Sequence, residues 1–488
     1  MMNELIRKIV QKVTVDYQRL SIVSNPDEVL TQDDVRNLLY QQQGIEVVTG
    51  SNLRLRTHFE LTYKSQPEKR FLYVCSSPDT LLADMRQEAF VCDFNVADVF
   101  PLFADKSLLR NQSFETLDEL YRQTATRRVS LAEGKAIIGN IIQEQERRAK
   151  ESAEYCLGQL TQIELDWRDS KTTMEAISKV VVSAILHGVY PQIVPAIDAI
   201  NQTFQKWIDG EYFATLQSNP LLHPKSVNGI MPHLSKKYGR ADKVALLVVD
   251  GFTYWQYAIL RDALYKDGIT TLDGCTLAWL PSITMLSRQA IFRGGVPQQD
   301  YKQSPENERK LWQAFWQQQG FSSFEIQYIS DKDEFAINEG VKRLAIVTVE
   351  MDEKMHSSTD NKDLMSLTEN WCPRIANRIK AVTRAGYQLY LTTDHGSTLS
   401  YGWRPLTQVE SVFLYKDGSR GKRHLIYNNK DEQRRFVEQN QELPLLQHDN
   451  WLAIRDDSCF ARENTTMITH GGSHFMEVVI PFIKIENT

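Results

Sequence analysis

The sequence predicts an α/β fold: a mainly parallel sheet covered by helices over 241–488, preceded by a small α/β unit (1–105) and a helical region (106–240). Three observations predict it. In the last half, apolar runs of strand character alternate with helical segments, the pattern of a parallel sheet covered on both faces. Those runs end in Asp, His or Thr beside Gly or a polar turn, the edge where open α/β sheets collect their chemistry. The stretch before them is helically periodic nearly throughout.

The N-terminal MMNELIRKIVQKVTVDYQRL alternates charge with apolar residues and reads as an amphipathic helix, not a signal peptide. RLRTHFELTY (54–63), RFLYVC (70–75) and EAFVCDF (88–94) read as strands, with a helix near 79–86. The SSPD turn lacks the GxxxxGK[ST] pattern, so it is not read as a nucleotide-binding loop. Residues 132–158 and 172–207 carry helical periodicity, and EQERRAKE reads as a solvated helix face. Three prolines and two glycines mark 218–240 as a linker or domain edge. Beyond it, strands are predicted at 243–250, 270–280, 324–330, 343–350, 387–394 and 477–485. Helices are predicted at 253–265, 284–293, 305–319 and 362–385.

A net charge of −6 excludes a polybasic protein, so any nucleic-acid partner must meet a local patch. Six scattered cysteines form no CxxC pair and read as reduced thiols of a cytoplasmic protein. No apolar run is long enough to span a bilayer.

The candidate site residues are Asp250, Thr284, Asp352, His356, Asp394, His395 and His470. Asp250 ends VALLVVD, and Gly251 permits a tight turn. Thr284 falls at or near a helix start, where exposed amides and the positive dipole end favour an alkoxide and an attached phosphoryl group. Ser287 and Arg288 fall in the same first turn, within reach of phosphate oxygens. Asp352 and His356 follow a strand at Asp-x-x-x-His spacing, able to place both on one metal. Asp394 and His395 end another strand before Gly396. His470 precedes two glycines, with His474 as a competitor. Each also has a bland reading. Asp250 caps the next helix, Ser282 or Thr284 is an ordinary N-cap, Asp394 is a capping turn residue, or His470 is a surface loop histidine. His58, His187, His223, His233, His424 and His448 have no ligand context.

Two three-ligand sets emerge jointly: Asp352, His356 and His470, and Asp250, Asp394 and His395, with Thr284 between. Two divalent ions so held clamp the attacking and leaving oxygens of a displacement at phosphorus. Carboxylates and neutral imidazoles suit zinc, and also manganese.

At VVDGFTYWQY, LPSITMLSRQAIFRGG, MDEKMH, TTDHGS and ITHGGSHFMEVVIPFI, together spanning about 243–485, the chain resembles a PglZ domain of the alkaline phosphatase superfamily. The order of ligands is similar to that of nucleotide pyrophosphatases and phosphonoacetate hydrolases. LLADMRQEAFVCDFNVADVFPLF extends the likeness more loosely into the first region. The resemblance implies an alkaline-phosphatase-like domain over 241–488 and the same two metal sets. It also implies Thr284 as the nucleophile, forming a phospho-threonine intermediate that water hydrolyses. It implies a phosphodiesterase acting on nucleotides, cyclic oligonucleotides or nucleic acid, in a BREX-type phage-defence system with other defence proteins as partners. Where some superfamily diesterases carry Asn three residues beyond the nucleophile, this chain has Ser287. The alternatives are a defence-complex subunit without turnover, and a monoesterase or phosphomutase on the same site. Monoesterases add basic side chains, for which Lys354 and Arg404 lie near the motifs.

Overall fold

The computed structural model describes residues 3–217, 223–298, 300–416 and 418–486. The chain divides into two compact units, Met1–Lys150 and Glu151–Thr488, the division falling within the helix Leu131–Thr161.

The first unit holds a four-stranded parallel sheet in the order Ile45–Thr49, Arg70–Cys75, Leu20–Ser24, Phe90–Asp93. The expected N-terminal helix is Glu4–Val13, burying Leu5, Ile6, Ile9 and Val13. The expected strand at 54–63 is instead helical, as Asn52–His58 continued by a wider-wound turn over Phe59–Tyr63. The reason is the spacing of its core residues. Leu55, Phe59 and Tyr63 recur every fourth position and are all buried, which is a helix face. Ser51 caps the start by accepting from the Arg54 amide at 3.3 Å.

The helical region appears as Phe114–Thr124, Leu131–Thr161, Ser170–Leu186 and Tyr190–Trp207. The 172–207 segment is two helices, parted at Gly188 in the left-handed conformation. Within the expected linker, 218–222 lie outside the described residues. Ile230–Lys237 is a helix whose Ile230, Met231 and Leu234 join the core of the second unit, so this stretch belongs to that domain.

The second unit is built on a seven-stranded sheet. Its main path runs Thr270–Leu272, Val479–Glu486, Gln388–Thr392, Val244–Val249, Arg343–Thr348, Ile326–Ser330, and Cys275–Leu277 also pairs with Val479–Glu486. The last four strands of that path are mutually parallel. Val479–Glu486 runs antiparallel at one side. Every residue of Val244–Val249 is buried, as expected for a central strand covered on both faces. Trp312, Trp316, Phe292 and Tyr328 pack with Val244, Leu246 and Val248 in one core cluster. The expected helices appear as Tyr254–Lys266, Thr284–Arg293, Pro305–Gln318 and Asn361–Arg384. Two three-stranded sheets over 398–469 were not anticipated. Among the described residues, no helix is long and apolar enough to cross a membrane.

Candidate metal centre

Three parallel strands bring the site together by ending side by side. The register pairs Val249 with Thr348 and Val248 with Thr392. Asp250, the helix Glu350–Ser357 and Asp394 therefore leave the sheet at one edge. Gly251 has φ +68°, and a Cβ there would lie 3.2 Å from the Asp352 Cα, so glycine lets the two segments meet.

The bland readings resolve in turn. The helix after Asp250 is capped by Thr253, in a reciprocal box with Gln256. No helix follows Asp394; the next element is the strand Thr398–Gly402. The N-cap of Thr284–Arg293 is Ile283, which makes no side-chain cap. Thr284, its first helical residue, aims its hydroxyl at His395 Nε2 (3.1 Å) and Asp250 Oδ1 (3.4 Å). His470 is buried, not a surface residue.

One triplet of ligand atoms comes from Asp352, His356 and His470, all within 4.8 Å of one another. His356 Nε2 lies 3.4 Å and His470 Nε2 3.8 Å from Asp352 Oδ1. A second triplet comes from Asp250, Asp352 and His395. Asp352 thus borders both. Asp394 sits beside the second, its Oδ2 3.7 Å from His395 Nε2. Its Oδ1 accepts from the Gly251 amide (3.2 Å), the His395 amide (3.1 Å) and the Thr393 hydroxyl (3.2 Å).

The imidazoles are oriented by their other nitrogens. His395 Nδ1 is 2.9 Å from the Gly396 carbonyl and His470 Nδ1 is 3.0 Å from the Ser282 carbonyl. A carbonyl only accepts, so Nδ1 carries the proton and Nε2 presents a lone pair to the site. Burial, and then His395, push His470 well below its ordinary pKa, keeping it neutral. Burial, and then the Asp394 carboxylate, push Asp250 well above the usual carboxylate range against the pull of Arg288.

These residues fit a metal. Asp352 Oδ1, His356 Nε2 and Asp394 Oδ2 are buried without a hydrogen-bond partner. Such groups are costly to bury unpaired, and divalent cations offset that cost. Carboxylate with neutral imidazole is a zinc- or manganese-type donor set.

A buried network carries the His470 loop to the Thr284 loop. Ser282 donates to Glu477 Oε2 (2.7 Å) or the Gly472 carbonyl (2.9 Å) and accepts from the Gly471 amide (3.0 Å). Glu477 accepts from the Gly472 amide (2.7 Å) and pairs with Arg423 (2.7 Å), both side chains fully buried. A Cβ at Gly472 would come 2.7 Å from that guanidinium, so the second glycine is required for close approach. His474, the competitor, is buried and accepts from the Met476 amide (3.2 Å).

Arg288 is buried and forks between Asp250 Oδ2 (2.8 Å) and Glu308 Oε2 (2.7 Å), with Tyr328 and Gln303 also donating to Glu308. Ser287 is fully buried and accepts from the Trp279 amide at 3.0 Å, outside the cavity lining. Lys354 pairs with Glu350 (3.6 Å) and Arg404 with Glu410 (2.7 Å); neither lines the cavity. The cavity, about 370 Å³, does include Lys332 and Arg420, the latter donating to Asp352 Oδ2. Sequence reading missed Glu308, Arg420, Arg423 and Glu477. Only Glu477 carried a signal, a lone carboxylate in the apolar run FMEVVIPFI.

Fold and site together define the class: an alkaline-phosphatase-like domain whose clustered Asp and His side chains are able to hold divalent metal. The chain belongs to the PglZ family: the profile of the BREX system PglZ alkaline phosphatase-like domain matches residues 228–485. Among solved structures, it is similar to phosphonoacetate hydrolase from Sinorhizobium meliloti 1021 in complex with phosphonoformate. There the identity is 11%, with 50% of this chain and 89% of that chain covered and a TM-score of 0.33. It is also similar to murine ectonucleotide pyrophosphatase / phosphodiesterase 5, at 12% identity, 50% and 88% coverage and a TM-score of 0.33. No curated protein matches the chain.

Proposed function

We propose that this chain is a phosphodiesterase of nucleotides, cyclic oligonucleotides or nucleic acid, working in the cytoplasm with other proteins of a BREX-type antiphage system. The observation that carries the reading is the placement of Thr284. Its hydroxyl opens a ten-residue helix and faces His395 Nε2 and Asp250 Oδ1, both of the second ligand cluster.

Thr284 Oγ1 attacks phosphorus as the P–O ester bond breaks, the proton Thr284 gives up going to the departing oxygen; water then splits the phospho-threonine, restoring the Thr284 hydroxyl and freeing a phosphomonoester. First-turn amides of the helix favour the negative charge that develops on phosphorus-bound oxygens. Asp352, His356 and His470 would hold one divalent ion, and Asp250, Asp394 and His395 the other, with Asp352 near enough to serve both. Divalent ions of the zinc or manganese type, when bound there, would supply stabilisation of the charge that develops on the phosphoryl group. Arg288 positions Asp250 in this reading, because both its terminal nitrogens are engaged by carboxylates.

The test compares bis-p-nitrophenyl phosphate with p-nitrophenyl phosphate, adding zinc or manganese to metal-stripped protein. Metal-dependent turnover preferring the diester, and absent in Asp394→Ala, supports the reading. Preference for the monoester overturns the diesterase assignment. Binding of metal without turnover of either ester points to an assembly subunit.

A further inference from the structure

A second cleft, of about 380 Å³, adjoins the reaction site. Two elements join them. Met285, the residue after Thr284, lines both cavities. Within one short segment, Tyr415 lines the second cleft while Ser419 and Arg420 line the first.

The two cavities differ in chemistry. The reaction cavity gathers carboxylates, imidazoles, Arg288, Lys332 and Arg420. The second is walled by Trp279, Leu286, Val296, Tyr415, Ile426 and Trp451. Val296 is 64% exposed and Tyr415 42% exposed, so large apolar side chains stand open to solvent there. Trp451 is braced by His448, 5.5 Å between ring centroids, and His448 in turn stacks on Phe213. The charged residues among its described lining are Asp300 and Asp449, with no lysine or arginine. A second phosphate or a nucleic-acid backbone meets repulsion here. An uncharged aromatic group meets flat apolar faces in a volume suited to a small organic ligand.

We propose that this cleft is the subsite for a nucleoside joined to the reacting phosphorus, so that the substrates are mononucleoside diesters and not polymeric nucleic acid. This rests on Thr284 being the point of attack. It also gives the small sheet His424–Ile426, Trp451–Ile454, Leu445–His448 a purpose: it supplies Ile426 and Trp451 to the cleft.

The test uses the full metal-loaded chain with two esters, thymidine 5′-monophosphate p-nitrophenyl ester and methyl p-nitrophenyl phosphate. The expected kcat/KM is at least about tenfold higher for the nucleoside ester, the scale of one stacked base. Val296→Asp and Tyr415→Ala each cut that ratio about tenfold, whereas Phe324→Ala, at an exposed site away from both clefts, leaves it. A ratio near one in the wild type, or one unmoved by both variants, overturns the proposal. If neither ester turns over, the hydrolase reading fails by itself. Quenching of tryptophan fluorescence then decides the cleft. Thymidine 5′-monophosphate binding about tenfold tighter than inorganic phosphate, with the difference lost in Val296→Asp, supports it. Equal affinities overturn it, as does an oligothymidylate that binds more tightly than the mononucleotide.

Discussion

Asp250, Asp394 and His395 follow the ends of two adjacent parallel strands, whereas Asp352 and His356 stand on the eight-residue helix Glu350–Ser357. The first group is held on every side. Asp394 accepts two backbone amides, Asp250 is gripped by Arg288, and His395 is pinned by its own Gly396 carbonyl. The His395 and Asp394 side chains are fully buried. In the second group, His356 keeps 15% of its side chain exposed, and Asp352 is reached by Arg420, itself 56% exposed. The difference teaches that one cluster is preorganised by the sheet, while the other is completed by a helix and a loop. Preorganised ligands lose less entropy on binding, so the inner cluster is expected to hold its ion more tightly.

The largest effect tests whether Thr284, beside the inner cluster, is the nucleophile. Thr284→Ala is expected to lower kcat by about 10⁴-fold or more, with metal content nearly intact. Full turnover in that variant removes the assignment. Asp394→Ala strikes the inner cluster. Activity is expected to vanish with metal binding, weakened beyond the ~100-fold typical of supporting residues. Retention of two ions, read by elemental analysis, refutes Asp394 as a ligand.

Removing the brace of the inner cluster is next. Arg288→Ala leaves Asp250 and Glu308 buried without their counter-charge, Glu308 keeping Tyr328 and Gln303 as donors, a loss of about 3–5 kcal/mol. Chemical denaturation of the metal-free protein checks it, and an unchanged midpoint counts against the buried triad. His356→Ala strikes the outer cluster alone. The expected result is one ion retained and one lost, with activity reduced about 100-fold. Loss of both ions together contradicts the contrast between inner and outer clusters.

The site was legible because its residues sit in local patterns. An apolar run ending in Asp-Gly or Asp-His-Gly announces the strand end that carries the ligand, and Thr284 follows a proline that halts a strand. The supporting residues were not legible, because what they do depends on partners far along the chain. Glu308 lies in PENERK and reaches the site through Arg288, and Arg423 in GKRHL reaches it through Glu477. The fold divides the same way. The long buried strands and helices of 243–394 were read close to their bounds, except that 270–280 is two three-residue strands and the helix Glu350–Ser357 was not expected. Asn52–Tyr63 was misread because a short polar segment with apolar residues four apart also shows partial alternation. The small sheets of 398–469 have strands of two to five residues, too short to carry a period.

The smallest expected effect concerns the link between the two loops. Ser282 is fully buried and gives its hydroxyl to Glu477 or the Gly472 carbonyl while accepting from Gly471. Ser282→Ala deletes those bonds but keeps the Ser282 carbonyl that orients His470 Nδ1. Glu477 retains Arg423 and the Gly472 amide, so its charge stays compensated. The Gly471 amide is left without its acceptor, at a cost of about 1–3 kcal/mol. Thermal unfolding is therefore expected to fall modestly while both metals bind. A weaker second ion in Ser282→Ala, with the first unchanged, would show that the hydroxyl fixes the His470 loop as well as stabilising it.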